Sequence, residues 1–134
     1  MLWPPEPNST LINLYYHDLP AAVRFWTAGL GFPIVLDQGW AKLLRLQEGS
    51  FLGLVDGRRG YHRPQEENAV LITLITDDLE AWHARVQEAG AREVTAIEFH
   101  PELQIERFFC RDPGGYTLEF QRFLRRGDRA LFHT

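Results

Sequence analysis

Catalysis and metal binding both need side chains that can accept protons or donate lone pairs, and this sequence offers few of them in useful groupings. Its five histidines are His17, His62, His83, His100 and His133. No two stand at the i, i+4 spacing of one helix face or the i, i+2 spacing of one strand face, so none forms a ready ligand pair. The single cysteine, Cys110, lies in the apolar run Phe108-Phe109-Cys110 and reads as a small core residue. It has no disulfide partner and no second thiol for a metal pair. Glu119 stands apart and is the candidate catalytic residue. It sits in Thr117-Leu118-Glu119-Phe120-Gln121, where strand alternation places it on one face with Thr117 and Gln121. A carboxylate in apolar surroundings is costly to keep ionised without a partner. Three uses are open: a structural pair with Arg107 or Arg111, a contact to a cationic or hydrogen-bond-donating ligand, and a general base whose pKa is raised by burial.

The elements that must position these groups follow from periodicity and turn residues. Three prolines in residues 1–9 give an extended N-terminal arm. Thr10–Tyr16 is rich in β-branched and aromatic residues and predicts a strand. Asp18 is a good N-cap, Pro20 fits the first helical turn, and Leu19, Val23, Trp26 and Leu30 recur at helical spacing until Gly29 or Gly31. Strands are expected around Ile34–Leu36, Ala41–Leu46 and Phe51–Val55, punctuated by Gly39, Gly49-Ser50 and Asp56-Gly57. The charged stretch from Gly57 to Asn68 reads as a linker.

The pattern then restarts. Val70–Thr76 predicts a strand, and Asp77 with Glu80 predicts an Asp-led capping box. Leu79, Trp82, Val86 and Ala89 make a helix stripe ended by Gly90. Strands near Glu93–Thr95, Gln104–Cys110 and Tyr116–Phe123 complete the half, the last two joined by the turn Asp112-Pro113-Gly114-Gly115. The halves align at an offset of sixty residues: Leu11 falls on Leu71, Leu14 on Leu74, Asp18-Leu19 on Asp78-Leu79. A repeated unit this small cannot bury its sheet face alone, so two must pack together or pair with another chain. The expected organisation is an arm over 1–9, a domain over 10–124 (module one 10–59, linker 60–65, module two 66–124) and a C-terminal tail over 125–134.

Composition narrows the partners. The formal net charge is −4, which disfavours nucleic acid and anionic membrane as general partners. Arg122, Arg125, Arg126 and Arg129 form the one basic run, read as a solvated tail or helix face. The N-terminus lacks a basic region followed by a long apolar one, so no signal peptide is expected, and no apolar run approaches a membrane span. A reducing cytoplasm is the expected location.

Two motifs carry a family likeness. The first strand running into Asp18-Leu19, then Phe25-Trp26 and Gly29-Leu30-Gly31-Phe32, resembles the opening of glyoxalase/bleomycin-resistance (vicinal oxygen chelate) proteins. Arg111-Asp112-Pro113-Gly114-Gly115-Tyr116-Thr117-Leu118-Glu119-Phe120 resembles their closing motif. The resemblance covers about residues 10–123. It implies an α+β fold of two βαβββ modules whose curved mixed sheet surrounds a cup, and a divalent metal held there by four residues. On this sequence those positions fall on Leu11, Gly53, Leu71 and Glu119, and only the last has a donor atom. One carboxylate cannot hold an ion that wants four to six ligands, so no metal and no other cofactor is expected.

If Ile12, Leu14 and Tyr16 pack on helices, the opposite faces line the cup. The expected ligand-binding residues are Leu11, Asn13, Tyr15, Phe51, Gly53, Leu71, Thr73, Glu119 and Gln121, with Ile75, Val55 and Thr117 beside them. An apolar lining with a few polar points suits a small molecule. The leading expectation is a metal-independent protein that sequesters or senses a small organic ligand. The alternative is a lyase, isomerase or dioxygenase of the same superfamily using Glu119 as base or within an altered metal site. A third possibility is an interaction module that works as a dimer. A homodimer is expected in any case, because Trp3, Trp40, Phe123 and Phe132 have no evident partner within the chain.

Overall fold

The computed structural model describes residues 3–133; the parts of the expected arm and tail that fall on Met1, Leu2 and Thr134 lie outside the described residues. The chain divides into two units, Met1–Pro64 and Gln65–Thr134. Both are βαβββ units of an α+β protein, each with one four-stranded mixed sheet.

The first unit contains β1 (Thr10–Tyr16), α1 (Leu19–Arg24), β2 (Ile34–Asp37), β3 (Ala41–Gln47) and β4 (Ser50–Asp56), in spatial order β1-β4-β3-β2. β1 runs parallel to β4, and the other pairs are antiparallel. Asp18 caps α1 by accepting a hydrogen bond from the Ala21 amide at 3.1 Å. α1 widens into a π-helical turn over Phe25–Gly29, and Gly31, at φ +89°, turns the chain toward β2. Leu14, Tyr16, Trp26, Leu52 and Leu54 are buried between helix and sheet. The Trp26 indole N–H donates to the Tyr16 hydroxyl at 3.2 Å, which satisfies a polar group that the core would otherwise strand. Ile12 departs from expectation: it has the parity of Leu14 but is 47% exposed. β1 is an edge strand, so its first residues have a neighbour on one side only.

The second unit contains β5 (Leu71–Ile75), α2 (Leu79–Glu88), β6 (Glu98–His100), β7 (Ile105–Arg111), β8 (Thr117–Phe123) and α3 (Arg126–Phe132). Its order, β5-β8-β7-β6, repeats that of the first unit, and β5 runs parallel to β8. Phe108 and Phe120 stack at 5.0 Å, and Trp82 stacks on Phe120 at 5.3 Å. The cap of α2 is Asp78, whose carboxylate accepts from the Ala81 amide, and not Asp77. Glu80 is drawn to Arg122, and the Asp77 carboxylate faces Arg129 and His133, so no capping box closes. The strand expected at Glu93–Thr95 is also displaced. An isolated bridge, Arg92 to Arg111, precedes that segment, and Thr95 exchanges hydrogen bonds with Phe109 without forming a strand, because Glu93 has a positive φ that breaks extension. The edge strand forms later, at Glu98–His100.

Two further readings change. Arg122 is not part of a solvated tail. It lies on β8, donates to both oxygens of Glu80 at 2.8 Å and to Glu106 at 2.9 and 3.1 Å, and its pKa is raised above the usual guanidinium value chiefly by the Glu80 bonds. The tail itself is largely helical. α3 returns to the sheet, where Phe132 stacks on Phe123 at 4.9 Å, so these two aromatics partner each other.

Cys110 is 1% exposed, and burial pushes its thiol up to about 12. Since the thiolate is the reactive form, Cys110 should stay silent toward a thiol reagent at pH 8 in native protein and react at once in denaturant. Stoichiometric labelling of the folded protein within minutes would contradict this burial. Among the described residues, no helix is long and apolar enough to cross a membrane.

Candidate functional site

Each sheet has one face against its helix and one open face, and the expected site residues fall on the open faces. In the first unit the ladder sets Leu11 beside Phe51, Asn13 beside Gly53 and Tyr15 beside Val55. Across β4, Gly53 meets Leu43. Gly53 has a structural purpose here. A Cβ at this position would collide with the Asn13 side-chain oxygen and crowd Leu43, so the missing side chain leaves room for the Asn13 carboxamide. Asn13 makes no hydrogen bond to any described residue. Tyr15 is half-buried: Gly60 packs against its ring and against Val55, and His62 meets it edge-on at 5.6 Å. Part of the expected linker therefore folds back on this unit and covers one end of its open face.

In the second unit the ladder sets Leu71 beside Thr117, Thr73 beside Glu119 and Ile75 beside Gln121. Across the antiparallel pair, Glu119 meets Phe109 and Gln121 meets Arg107. Glu119 thus holds the ladder position that Gly53 holds in the first unit, each opposite the third residue counted from Leu71 or Leu11. Glu119 is only 6% exposed. Its Oε1 accepts a hydrogen bond from the Thr73 hydroxyl at 2.8 Å. Its Oε2 faces the Arg107 guanidinium at 3.8 Å, an ion pair too long for a hydrogen bond. Arg107 also rests over the Phe109 ring, at 5.2 Å. Around these groups Leu71 and Ile75 are 52% and 41% exposed. Arg111, the other suggested partner of Glu119, pairs with Glu93 instead.

The structure therefore brings Leu11, Asn13, Tyr15, Phe51 and Gly53 onto one face and Leu71, Thr73, Glu119 and Gln121 onto the other. Phe109 and Leu43 belong to these faces and were not foreseen. The signal for Phe109 was present: counting back from the tight turn at Asp112–Gly115 fixes the β7–β8 register. Apart from His62, which meets Tyr15, the histidines with contacts are engaged elsewhere. His83 lies edge-on to Phe108 at 4.7 Å and hydrogen-bonds the Thr95 carbonyl at 2.8 Å through Nε2. His100 Nδ1 accepts from the Leu103 amide at 3.2 Å.

A βαβββ unit repeated once in a chain, with parallel first and last strands in each copy, defines a two-module α+β protein. The chain belongs to the Glyoxalase/Bleomycin resistance protein/Dioxygenase superfamily, whose family model matches residues 10–120. Solved structures agree on the fold. A glyoxalase/bleomycin resistance protein/dioxygenase from Nocardioides is 21% identical with a TM-score of 0.74, covering 94% of this chain and 89% of that one. TioX from Micromonospora sp. ML1 is 21% identical with a TM-score of 0.72, covering 88% and 100%. A lactoylglutathione lyase from Agrobacterium tumefaciens is 21% identical with a TM-score of 0.68, covering 90% and 96%. A comparison with curated proteins finds no match.

The residues do not fit the family's divalent metal. Leu11, Leu71 and Gly53 have no donor atoms, and the space over Gly53 is taken by Asn13. The one remaining carboxylate has a guanidinium 3.8 Å from its outer oxygen, a charge that would repel a dication. Among the described residues, no cluster of three or more His, Cys, Asp and Glu could take the metal instead.

Proposed function

We propose that this protein is a metal-independent binder of a small organic molecule, sequestering or sensing it on the open sheet faces. The observation that supports this reading most is the state of Glu119. A carboxylate more than nine-tenths buried has one neutral hydrogen bond and an outer oxygen with none, among exposed leucine and isoleucine side chains. A ligand donor at that oxygen would complete its solvation, and the apolar rim would hold the ligand body. The test is elemental analysis of purified protein together with thermal melts with and without chelator. The expected result is less than stoichiometric Zn²⁺, Ni²⁺, Mn²⁺ or Fe²⁺ and an unchanged melting temperature, since a bound ion would stabilise by mass action. One equivalent of metal lost together with Glu119→Gln would overturn the reading.

A second reading, a lyase, isomerase or dioxygenase using Glu119 as base, is favoured by the same Oε2, which accepts no hydrogen bond from a described residue. Turnover that disappears in Glu119→Gln while ligand affinity stays within a few-fold would select it.

The proposal includes a homodimer and a cytoplasmic location, with no nucleic acid or membrane partner. Support for the dimer comes from the β2 edge, where Ile34, Val35 and Leu36 are all exposed, and from Trp3 at 85% exposure. An apolar edge strand left bare is a liability that pairing removes. Sedimentation at tens of micromolar should give twice the chain mass, and a monomer there would exclude the dimer. The location rests on a lone, unpaired thiol.

A further inference from the structure

Arg107 is the group on the second unit's open face whose chemistry is least used. Its guanidinium donates no hydrogen bond to any described residue. Its guanidinium carbon lies 5.2 Å from the centre of the Phe109 ring, and the side chain is 29% exposed. Its neighbours are Glu119 at 3.8 Å, Gln121 directly opposite on β8 and Glu98 directly opposite on β6. Glu98 makes no ion pair with it, and the Gln121 carboxamide makes no hydrogen bond to a described residue. One face thus presents a cation with unused donors and, beside it, an anion with an unused acceptor. The two are too far apart to satisfy each other and close enough to be bridged by a single small group.

We propose that Arg107 and Glu119 form a clamp for an α-amino-acid head group carried on an apolar body. The ligand carboxylate would take the guanidinium edge, for which a planar two-oxygen anion is the best geometric match. The ligand ammonium, one carbon away, would donate to Glu119 Oε2, with the Gln121 amide beside both. The apolar side chain would lie on Leu71, Ile75 and the exposed part of Phe109. A neutral amide would also bridge a donor and an acceptor. It would leave both protein charges without a counter-charge from the ligand, and so it fits less well.

This inference rests on the reading of the open face as a ligand site, and its test separates the two. Calorimetry of the purified protein with L-phenylalanine, 3-phenylpropionate and 2-phenylethylamine compares the full head group with each half. Phenylalanine should bind, and each half-ligand should bind about ten- to a hundred-fold more weakly, the range for hydrogen bonds to charged groups. Arg107→Met should erase the preference for phenylalanine over phenylethylamine. Glu119→Gln should erase the preference over phenylpropionate. Arg107→Lys keeps the charge without the fork and should recover part of the preference, which a purely structural role for Arg107 would not produce. Circular dichroism melts confirm that each variant is folded. A parallel titration with the apolar dye 8-anilinonaphthalene-1-sulfonate, with Leu71→Asp as its control, reports on the face itself. Leu71-dependent dye binding without phenylalanine binding, equal binding of the three ligands, or preference for L-phenylalaninamide over phenylalanine would overturn the clamp and leave the binder reading standing. Loss of both dye and amino acid binding would overturn both.

Discussion

Trp26→Ala should cost about 3–5 kcal/mol of unfolding free energy, the range for removing a large aromatic from a packed core. Trp26 is fully buried beside Phe25 and Phe32, and its N–H is the donor to Tyr16. Deletion would therefore open a cavity and take a hydrogen bond from a buried hydroxyl at once. Trp26→Phe keeps most of the apolar volume and should cost distinctly less. Urea titrations followed by far-ultraviolet circular dichroism read both. A cost below about 1 kcal/mol for alanine would mean that the helix is not seated on the sheet as described.

Asp112→Ala is the second large effect, about 2–4 kcal/mol, because it removes a buried acceptor from two backbone donors of the turn. The Asp112 side chain is fully buried, and its Oδ1 accepts from the Gly114 amide at 3.0 Å and the Tyr116 amide at 2.9 Å. Its own amide donates to the Tyr116 carbonyl, and the Gly115 amide donates back to the Asp112 carbonyl. Gly115 sits at φ +83°, which a side chain would strain. This turn fixes the β7–β8 register, and the register places Phe109 against Glu119 and Arg107 against Gln121. Asp112→Ala should accordingly weaken ligand binding as well as stability, although Asp112 lies off the open face. Asp112→Asn retains one oxygen acceptor and should lose less of both. Equal stability of the alanine variant and the parent would sink the argument.

The parts of the fold that were legible in the sequence are those written in short range. α1 announced itself through the cap at Asp18, α1 and α2 both through a spaced apolar stripe, and most strands through alternation between turn residues. The failures share a cause. Asp77 was read as a cap because it precedes Glu80 by three, but Glu80 is captured by Arg122 across forty residues, a contact no local pattern records. The strand expected at Glu93–Thr95 has strand-forming residues, and its loss depends on Glu93 taking a positive φ. Ile12 was assigned to the core by parity alone, which says which face a residue has and not whether anything covers that face. For the site, alternation placed Glu119, Thr73 and Gln121 on one face. The 3.8 Å gap to Arg107 depends on side-chain placement across two neighbouring strands and lies beyond any sequence pattern.

In each unit the first strand finds its hydrogen-bonding partner only in the last: Thr10 with Ser50, and Leu71 with Thr117. During synthesis, β1 must wait unpaired until β4 has left the ribosome, and β5 until β8 has. Each unit is therefore completed in one late step and not by gradual accretion, and parallel closure of this kind is slow. The first unit has all its strands by Asp56, while the second lacks its last strand until Phe123 has been made. A stall or truncation between Arg111 and Phe123 would leave a finished first unit joined to an open second one, with the apolar residues of β5 and β7 bare. Proteolytic clearance of incomplete chains should begin in that second half.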